Sequence, residues 1–313
     1  MGLCFTLNEQ HKSGEKNVSN QKRHCAFTQV DVFTSVPLQG NQLAVFPDGT
    51  GLNDDQMQAI ARETNLSETT FVFPRDKETE AKEGIRVRIF TTTEELPFAG
   101  HPTLGTAHVL RGDSGAEEIS LALNVGKIQV RYSTLEDQPF GVMTQREPYF
   151  GHMHSRDAVA RASGLSKEDI ADDVPIQTVS TGNAFAMVPV KSLAVLQSLE
   201  PTWTAMHKYL EQSDAKFFYF ISREAEHPGV KFQARMFFYG GEDPATGSGA
   251  GPCIAWAVKH GLVPPGEQVL IEQGLEMKRR SRIFVSATRE GDKIVNVQVG
   301  GHVVETVRGE LFF

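Results

Sequence analysis

The chain echoes itself, and that echo limits the folds open to it. Arg88-Ile89-Phe90 leads to His101-Pro102-Thr103-Leu104-Gly105-Thr106-Ala107, and Arg235-Met236-Phe237 leads to Asp243-Pro244-Ala245-Thr246-Gly247-Ser248-Gly249. In each copy a strand ends, a polar residue precedes Pro, and a Gly follows four residues after that polar residue. Small residues then open an apolar helix, with Ala107-His108-Val109-Leu110 in one copy and Cys253-Ile254-Ala255-Trp256-Ala257-Val258 in the other. Aligned this way, the first copy is five residues longer between its Arg and its polar residue. A duplicated unit within 313 residues predicts two similar domains rather than one large core.

Residues 8–23 are almost wholly polar and cannot bury enough apolar surface to offset the entropy of ordering. The expected division is therefore a flexible polar tail over 1–23, a first domain over 24–140 and a second over 141–313, with the last strand free to return to the first domain. Met1-Gly2-Leu3-Cys4-Phe5-Thr6 fits the pattern for N-myristoylation at Gly2, with Cys4 available for a second acyl chain. So short a pattern often arises by chance, and an untethered cytoplasmic protein is the default reading.

Composition narrows the partners. Hydrophobic residues make up 40% and charged residues 22%, as in an ordinary globular protein. A net charge of -8, with no Lys/Arg-rich run interleaved with aromatics, argues against nucleic acid. Cys4, Cys25 and Cys253 are odd in number and widely spaced, which signals neither a disulfide framework nor a zinc site. Apolar runs such as Phe217-Phe218-Tyr219-Phe220-Ile221 are strand-sized, far short of the roughly 20 residues that span a bilayer.

Alternation and β-branched content predict strands over Cys25 to Phe33 and Leu43 to Phe46, and a strand opening at Thr69 that stops at Pro74. Further strands are expected at 85–91, 119–123, 126–132, 217–221, 230–238, 269–272, 282–287 and 293–299. Asn53 three residues before Gln56 has the form of a capping box, followed by Met57, Ile60 and Ala61 at helical spacing. Glu68 then falls where a loop becomes a strand.

A Pro one residue into a helix uses a position whose N–H lacks a partner anyway, and small neighbours leave the other donors open. Each copy of the echo is thus a cradle for a carboxylate or small phosphate at the positive end of a helix. Other readings of these glycines fail. Pro252 stands where a dinucleotide fingerprint needs its last Gly, no GK[ST] follows a Gly at P-loop spacing, and Ser248 lacks the Gly two residues before it that a nucleophile elbow requires. His152 and His154 have no nearby Cys, Asp or Glu to complete a metal set and read as solvated loop histidines.

Five segments in order carry a resemblance: Asp31-Val32-Phe33-Thr34, Gly40-Asn41, Asn65-Leu66-Ser67-Glu68-Thr69, Glu95-Leu96-Pro97-Phe98-Ala99-Gly100-His101-Pro102-Thr103 and Gly241-Glu242-Asp243-Pro244-Ala245-Thr246-Gly247-Ser248. Together they resemble the PhzF-like phenazine-biosynthesis family over roughly residues 25–313. The resemblance implies an α+β, diaminopimelate-epimerase-like fold of two similar domains, each a barrel-like sheet around a central helix, with the active site in the cleft between them. It implies a cofactor-independent isomerase, without metal, that forms a homodimer. Glu68 matches the family's acid/base, and His101 and Asp243 match flanking site residues placed where related epimerases carry two cysteines. Without those thiols a carboxylate must move the proton. Asn41, Ser67, Gly100, Thr103, Gly105, Thr106, Gly247, Ser248 and Gly249 are the expected substrate-binding positions. Gln42 replaces a usual Pro and Gly249 interrupts a usual alanine run, departures that bear on substrate choice more than on fold.

The reading is an isomerase that moves a proton within a small carboxylate-bearing metabolite. An epimerase on the same fold and a non-catalytic metabolite-binding or interaction protein are the alternatives.

Overall fold

The computed structural model describes residues 24–238 and 241–313. The acyl pattern at Gly2 and Cys4, and the tail that carries it, lie outside the described residues.

The first half contains β1 (His24–Val32), β2 (Asn41–Phe46), α1 (Asp54–Thr64), β3 (Glu68–Phe73), α2 (Lys77–Glu83), β4 (Ile85–Phe90), β5 (Glu95–Leu96), α3 (Gly100–Arg111), β6 (Glu118–Leu123), β7 (Gly126–Leu135) and β8 (Gln138–Thr144). The second contains β9 (Tyr149–Met153), α4 (Arg156–Ser163), β10 (Gln177–Ser180), β11 (Ala184–Val190), α5 (Leu193–Gln197), α6 (Trp203–Leu210), β12 (Phe217–Ser222), β13 (Phe232–Phe238), β14 (Gly241–Glu242), α7 (Gly247–Lys259), β15 (Val269–Gln273), β16 (Ser281–Glu290), β17 (Lys293–Gly301) and β18 (Val303–Phe312). The capping box at Asn53 forms as its sequence predicts, with Asn53 and Gln56 satisfying each other's backbone N–H.

The two halves follow one pairing scheme. β1 lies antiparallel to β2, β2 parallel to β3, β3 antiparallel to β4, β4 parallel to β6, and β6, β7 and β8 continue antiparallel. The same sequence of orientations joins β10, β11, β12, β13, β15, β16 and β17. β8 pairs with β17, so the two ladders meet edge to edge. Two further pairings finish the ladders: β9, which follows β8, pairs with β10, and β18 returns from the second half to pair with β1. β8 runs through residue 140, so the first ladder extends to Thr144. Each ladder wraps one buried helix. α3 packs on β1, β2, β6 and β8, and α7 packs on β10, β11, β16 and β17. The apolar side chains of both helices, from Leu104 and Ala107 to Ile254 and Trp256, sit in one continuous core.

The duplication is real, but its register differs from the sequence alignment. Arg88 forms a two-pronged ion pair with Glu95, Nε to Oε1 at 2.8 Å and Nη2 to Oε2 at 2.5 Å. Arg235 pairs identically with Glu242, at 2.9 and 2.8 Å. A single offset relates Arg88 to Arg235, Glu95 to Glu242, and Gly100 to Gly247, the first residues of α3 and α7. His101 is thus the counterpart of Ser248, and Asp243 of Leu96. Pro102 lies in the first turn of α3, whereas Pro244 precedes α7 altogether. Aligning the polar-Pro pairs is what made one copy five residues longer than the other. The Arg-to-Glu spacing needs no gap, because it is fixed by the strand pair it bridges.

The reading of His152 and His154 as solvated loop histidines also needs correction, since His152 lies in β9. His152 is exposed, but His154 is buried, with Nδ1 2.9 Å from the Tyr209 hydroxyl and Nε2 2.7 Å from Thr178 Oγ1. It closes the packing of β9 and β10 against α6 rather than facing water. Among the described residues no cluster could hold a metal, and no helix is long and apolar enough to cross a membrane.

Candidate active site

α3 and α7 start against each other. A Cβ on Gly100 would stand 2.9 Å from both the Gly247 carbonyl carbon and the Ser248 nitrogen, so the two backbones touch where only hydrogen fits. Gly247 in turn faces Phe33, whose ring would lie 2.8 Å from an added Cβ. Phe33 is fully buried at φ 66, a left-handed conformation that costs a bulky residue energy and is held here by the surrounding packing. The first N–H groups of each helix have no intrahelical partner, and the two positive helix ends lie side by side.

Gly100→Ala is a sharp test of this contact. Gly→Ala inside a helix ordinarily stabilises by about 1 kcal/mol. Here the added methyl meets backbone rather than a flexible side chain. We expect a net destabilisation of roughly 1–3 kcal/mol with a lower thermal midpoint. A variant as stable as the wild type would mean that the helix starts do not bear on each other.

Three acid/base side chains gather beside this junction. Glu68 is the first residue of β3, brought in by the turn at Asn65, whose φ of 51 ends α1. His101 is in the first turn of α3, and Asp243 follows β14 directly. Asn41 ties them together, its Nδ2 donating to Asp243 Oδ1 at 2.8 Å and to the Ala245 carbonyl at 2.9 Å. Those bonds use both of its amide hydrogens, so its 3.3 Å approach to His101 Nδ1 is not a third donation. His101 Nε2 lies 3.5 Å from Glu68 Oε2, and the Gln42 backbone approaches the same ring.

Asn41 is itself placed from both halves of the molecule. Arg279, in the second half, donates to Asp31 Oδ1, the Gln39 carbonyl and the Gly40 carbonyl, each at 2.8 Å. Gly40 has φ 68, and a Cβ there would lie 2.4 Å from the Val32 carbonyl. This accounts for the spacing from Asp31 through Gly40-Asn41. Asp243 is held from the other side, Thr246 Oγ1 donating to Oδ2 at 2.6 Å and Gln273 Nε2 to its backbone carbonyl at 2.7 Å.

Burial sets the protonation. It pushes Glu68 well above the ordinary glutamate range, with the Asp243 charge adding to the effect. It pushes Asp243 up to about 7, against the downward pull of its bonds from Thr246 and Asn41. It lowers His101 to about 3, so the imidazole is neutral and its contact with Glu68 is not an ion pair. Glu68 Oε2 and His101 Nε2 are both buried without a hydrogen-bond partner among the described residues. The site thus holds a carboxyl pair that resists carrying two charges, beside a neutral base.

A carboxyl whose pKa is raised by folding stabilises the folded state below its unfolded pKa and loses that contribution as pH rises through its folded pKa. For Asp243 the window runs from the ordinary value of 3.8 to about 7. We expect Asp243→Asn to flatten the fall in thermal midpoint across that window. An unchanged slope between wild type and variant would count against a buried, raised Asp243.

Glu68, Asp243, Thr246 and Ser248 line a small cavity of about 50 Å³ with apolar walls that include Leu96, Phe185, Phe217 and Met236. Of the expected binding residues, Ser248 faces this cavity and Gly100 and Gly247 form the helix junction beside it. Asn41 acts through Asp243, and Ser67 adjoins Glu68 without lining the cavity. Four others serve the interior instead. Thr103 Oγ1 donates back to the Ala99 carbonyl, Thr106 bonds Thr70 of β3, Gly105 makes room for Val32 and Leu43, and Gly249 makes room for Tyr219. Their helix-start pattern is local, whereas the side of the helix that meets the cavity depends on the partner half.

Sequence reading missed Thr246, Gln273, Asn183 and Lys216. Gln273 carried a faint signal as a polar residue closing an apolar strand, and Thr246 stands one residue before the α7 glycine. Asn183 and Lys216 carried none, since each merely flanks a strand.

Residues 30–309 match the PhzC-PhzF family, described as phenazine biosynthesis-like protein. The trans-2,3-dihydro-3-hydroxyanthranilate isomerase of Pseudomonas aeruginosa is 33% identical over 290 residues, covering 91% of this chain and 99% of that protein. A crystal structure of a Bacillus anthracis phenazine biosynthesis protein of the PhzF family superposes with a TM-score of 0.85 at 26% identity, over 93% of this chain and 100% of that one. The structure of a predicted epimerase from Pseudomonas aeruginosa superposes with a TM-score of 0.79 at 34% identity, over 92% and 99%.

Proposed function

Because the chain belongs to the PhzC-PhzF family of phenazine biosynthesis-like proteins and is an isomerase, we propose that Glu68 moves a proton between two carbons of one small carboxylate-bearing metabolite. The observation that carries this is the Glu68 carboxyl itself: buried, raised in pKa, with Oε2 unpartnered at a cavity wall. A carboxyl without internal partners is free to exchange a proton with a bound molecule. In its ionised form it removes a proton from a carbon acidified by a neighbouring carboxylate or conjugated system, and the resulting acid returns that proton elsewhere.

The other groups have supporting roles. The paired helix ends stabilise negative charge as it develops on the substrate. Asp243, raised to about 7 and so protonated below neutral pH, limits charge repulsion there when Glu68 ionises and can hydrogen-bond the substrate. His101, neutral and in the first turn of α3, is placed to orient the substrate beside Glu68. Asn41, Thr246 and Gln273 hold Asp243 in place.

The Pseudomonas aeruginosa relative is named for trans-2,3-dihydro-3-hydroxyanthranilate, which makes that compound the first substrate to try. The test is incubation with it in deuterium oxide. Conversion with one solvent-exchangeable position labelled in a product of shifted double bonds supports the proposal, whereas a product altered only in configuration assigns an epimerase. No conversion of this or any related cyclic carboxylate, and no exchange, would overturn the reading.

A further inference from the structure

Asp243 stands at the end of a directed chain of hydrogen bonds that begins at Tyr219, a residue outside the cavity wall. Gln273, fully buried at the end of β15, fixes the direction. Its Nε2 donates to the Asp243 backbone carbonyl at 2.7 Å and to Thr246 Oγ1 at 2.8 Å. Its Oε1 accepts from the Thr246 backbone N–H at 3.2 Å and from the Tyr219 hydroxyl at 3.1 Å. A backbone carbonyl can only accept and a backbone N–H can only donate, so the amide has one possible orientation. Both hydrogens of Nε2 are thereby used, and Thr246 Oγ1 must accept one of them. The single hydroxyl hydrogen of Thr246 then goes to Asp243 Oδ2, 2.6 Å away.

Tyr219, the far end of the chain, lies fully buried in β12. Its ring occupies space left by Gly249 of α7, where a Cβ would stand 2.8 Å from it. Burial holds the phenol well above the ordinary tyrosine range, so it keeps its proton and remains a donor through the neutral range. Donors thus point one way, from Tyr219 through Gln273 and Thr246 to Asp243, and bonds aligned in this manner strengthen one another. On the other side of the carboxyl, Oδ1 accepts from Asn41, and the Ala245 backbone also bonds to it. The titratable groups around Asp243 are Glu68 of β3, His101 of α3, Glu242 of β14 and Lys216 on the same cavity wall, with Cys253 of α7 beside Tyr219. Burial and Glu242 oppose ionisation of Asp243, and the fixed donors favour it.

We propose that Tyr219 and Gln273 are positioning residues that act through Thr246 to hold Asp243 as an acceptor, and so set the pH at which the acid beside Glu68 takes up a proton. A donor that cannot turn away favours the carboxylate. Without Gln273, the Thr246 hydroxyl is free to rotate and accept from a protonated Asp243, which favours the acid. The bearing of this chain on turnover rests on the reading of Glu68 as the proton shuttle, whereas its bearing on Asp243 does not.

The test follows the Asp243 carboxyl carbon by NMR in full-length protein labelled with carbon-13 aspartate, across roughly pH 4 to 10 and with no ligand added. Its resonance is assigned by its loss in Asp243→Asn. Tyr219→Phe should raise the pH of half-protonation by about 0.3 unit, an about twofold higher proton affinity. Gln273→Met should raise it by about one unit, or about tenfold. Tyr219→Phe keeps the ring and leaves Gln273 Oε1 its bond from the Thr246 N–H, so it decides alone should Gln273→Met not fold. A merely structural role would lower the thermal midpoint without moving this titration. An Asp243 titration unmoved by Tyr219→Phe, or moved to lower pH by Gln273→Met, would overturn the proposal. Failure of the proton-shuttle reading is separate, since it is read from turnover of Glu68→Gln and no substrate enters this measurement.

Discussion

Glu68→Gln is expected to reduce turnover by about three orders of magnitude or more, within the range a positioned acid/base contributes, while the fold and ligand affinity persist. The substitution keeps the shape of the side chain and replaces a carboxyl that makes no hydrogen bond through Oε2. No internal partner is lost, and a buried group that resists ionisation gives way to one that cannot ionise. Thermal stability near neutral pH should therefore hold steady or rise, by the same linkage that applies to Asp243. The measurement pairs the rate of conversion with the rate of deuterium uptake from solvent. Loss of both, with ligand binding intact by calorimetry, identifies the proton shuttle. Retained uptake with lost conversion would move the first proton transfer to another group, and undiminished conversion would remove Glu68 from the mechanism.

Arg235→Met is expected to destabilise the fold by about 3–5 kcal/mol, the cost of breaking a buried ion pair from one side. The Arg235 side chain is 7% exposed and its Glu242 partner 13% exposed. The guanidinium also shares the two hydrogens of Nη1 among the carbonyls of Leu196, Gln197 and Leu199, closing the end of α5. Methionine fills similar space and leaves the Glu242 carboxylate and those carbonyls without their donor. Because Glu242 directly precedes Asp243, the loss should also loosen the active site. Arg88→Met provides the internal comparison. It removes the equivalent pair, but at 20% and 25% exposure water can reach both partners, so its cost should be clearly smaller. Urea denaturation of the two variants decides the matter, and equal costs would mean that burial does not distinguish the two pairs.

The candidate site divides along the same line as these predictions, between local pattern and assembly. The position of Glu68 was legible because a strand rich in β-branched and aromatic residues begins at Thr69 and a helix with a capping box ends just before it. The helix starts were legible because glycine and proline punctuate them. What stayed hidden was contact between distant segments: Asn41 on Asp243, Gln273 on Thr246, Arg279 on Gly40, and Lys216 reaching from the second half toward Glu94 of the first.

By itself, then, the sequence determined that the chain is duplicated, where most of its strands lie, and which carboxylate stands at a strand start. These follow from short-range alternation, capping and turn chemistry, which act within a few residues. Only the tertiary structure decided the register of the duplication, because that register is set by an Arg–Glu pair bridging adjacent strands and by two glycines whose backbones touch across the molecule. It also decided that Thr103, Gly105, Thr106 and Gly249 serve packing while Asn183 and Lys216 face the cavity. The protonation of Glu68, His101 and Asp243 belongs to that second group, for the desolvation that shifts them is created by the two halves closing around them.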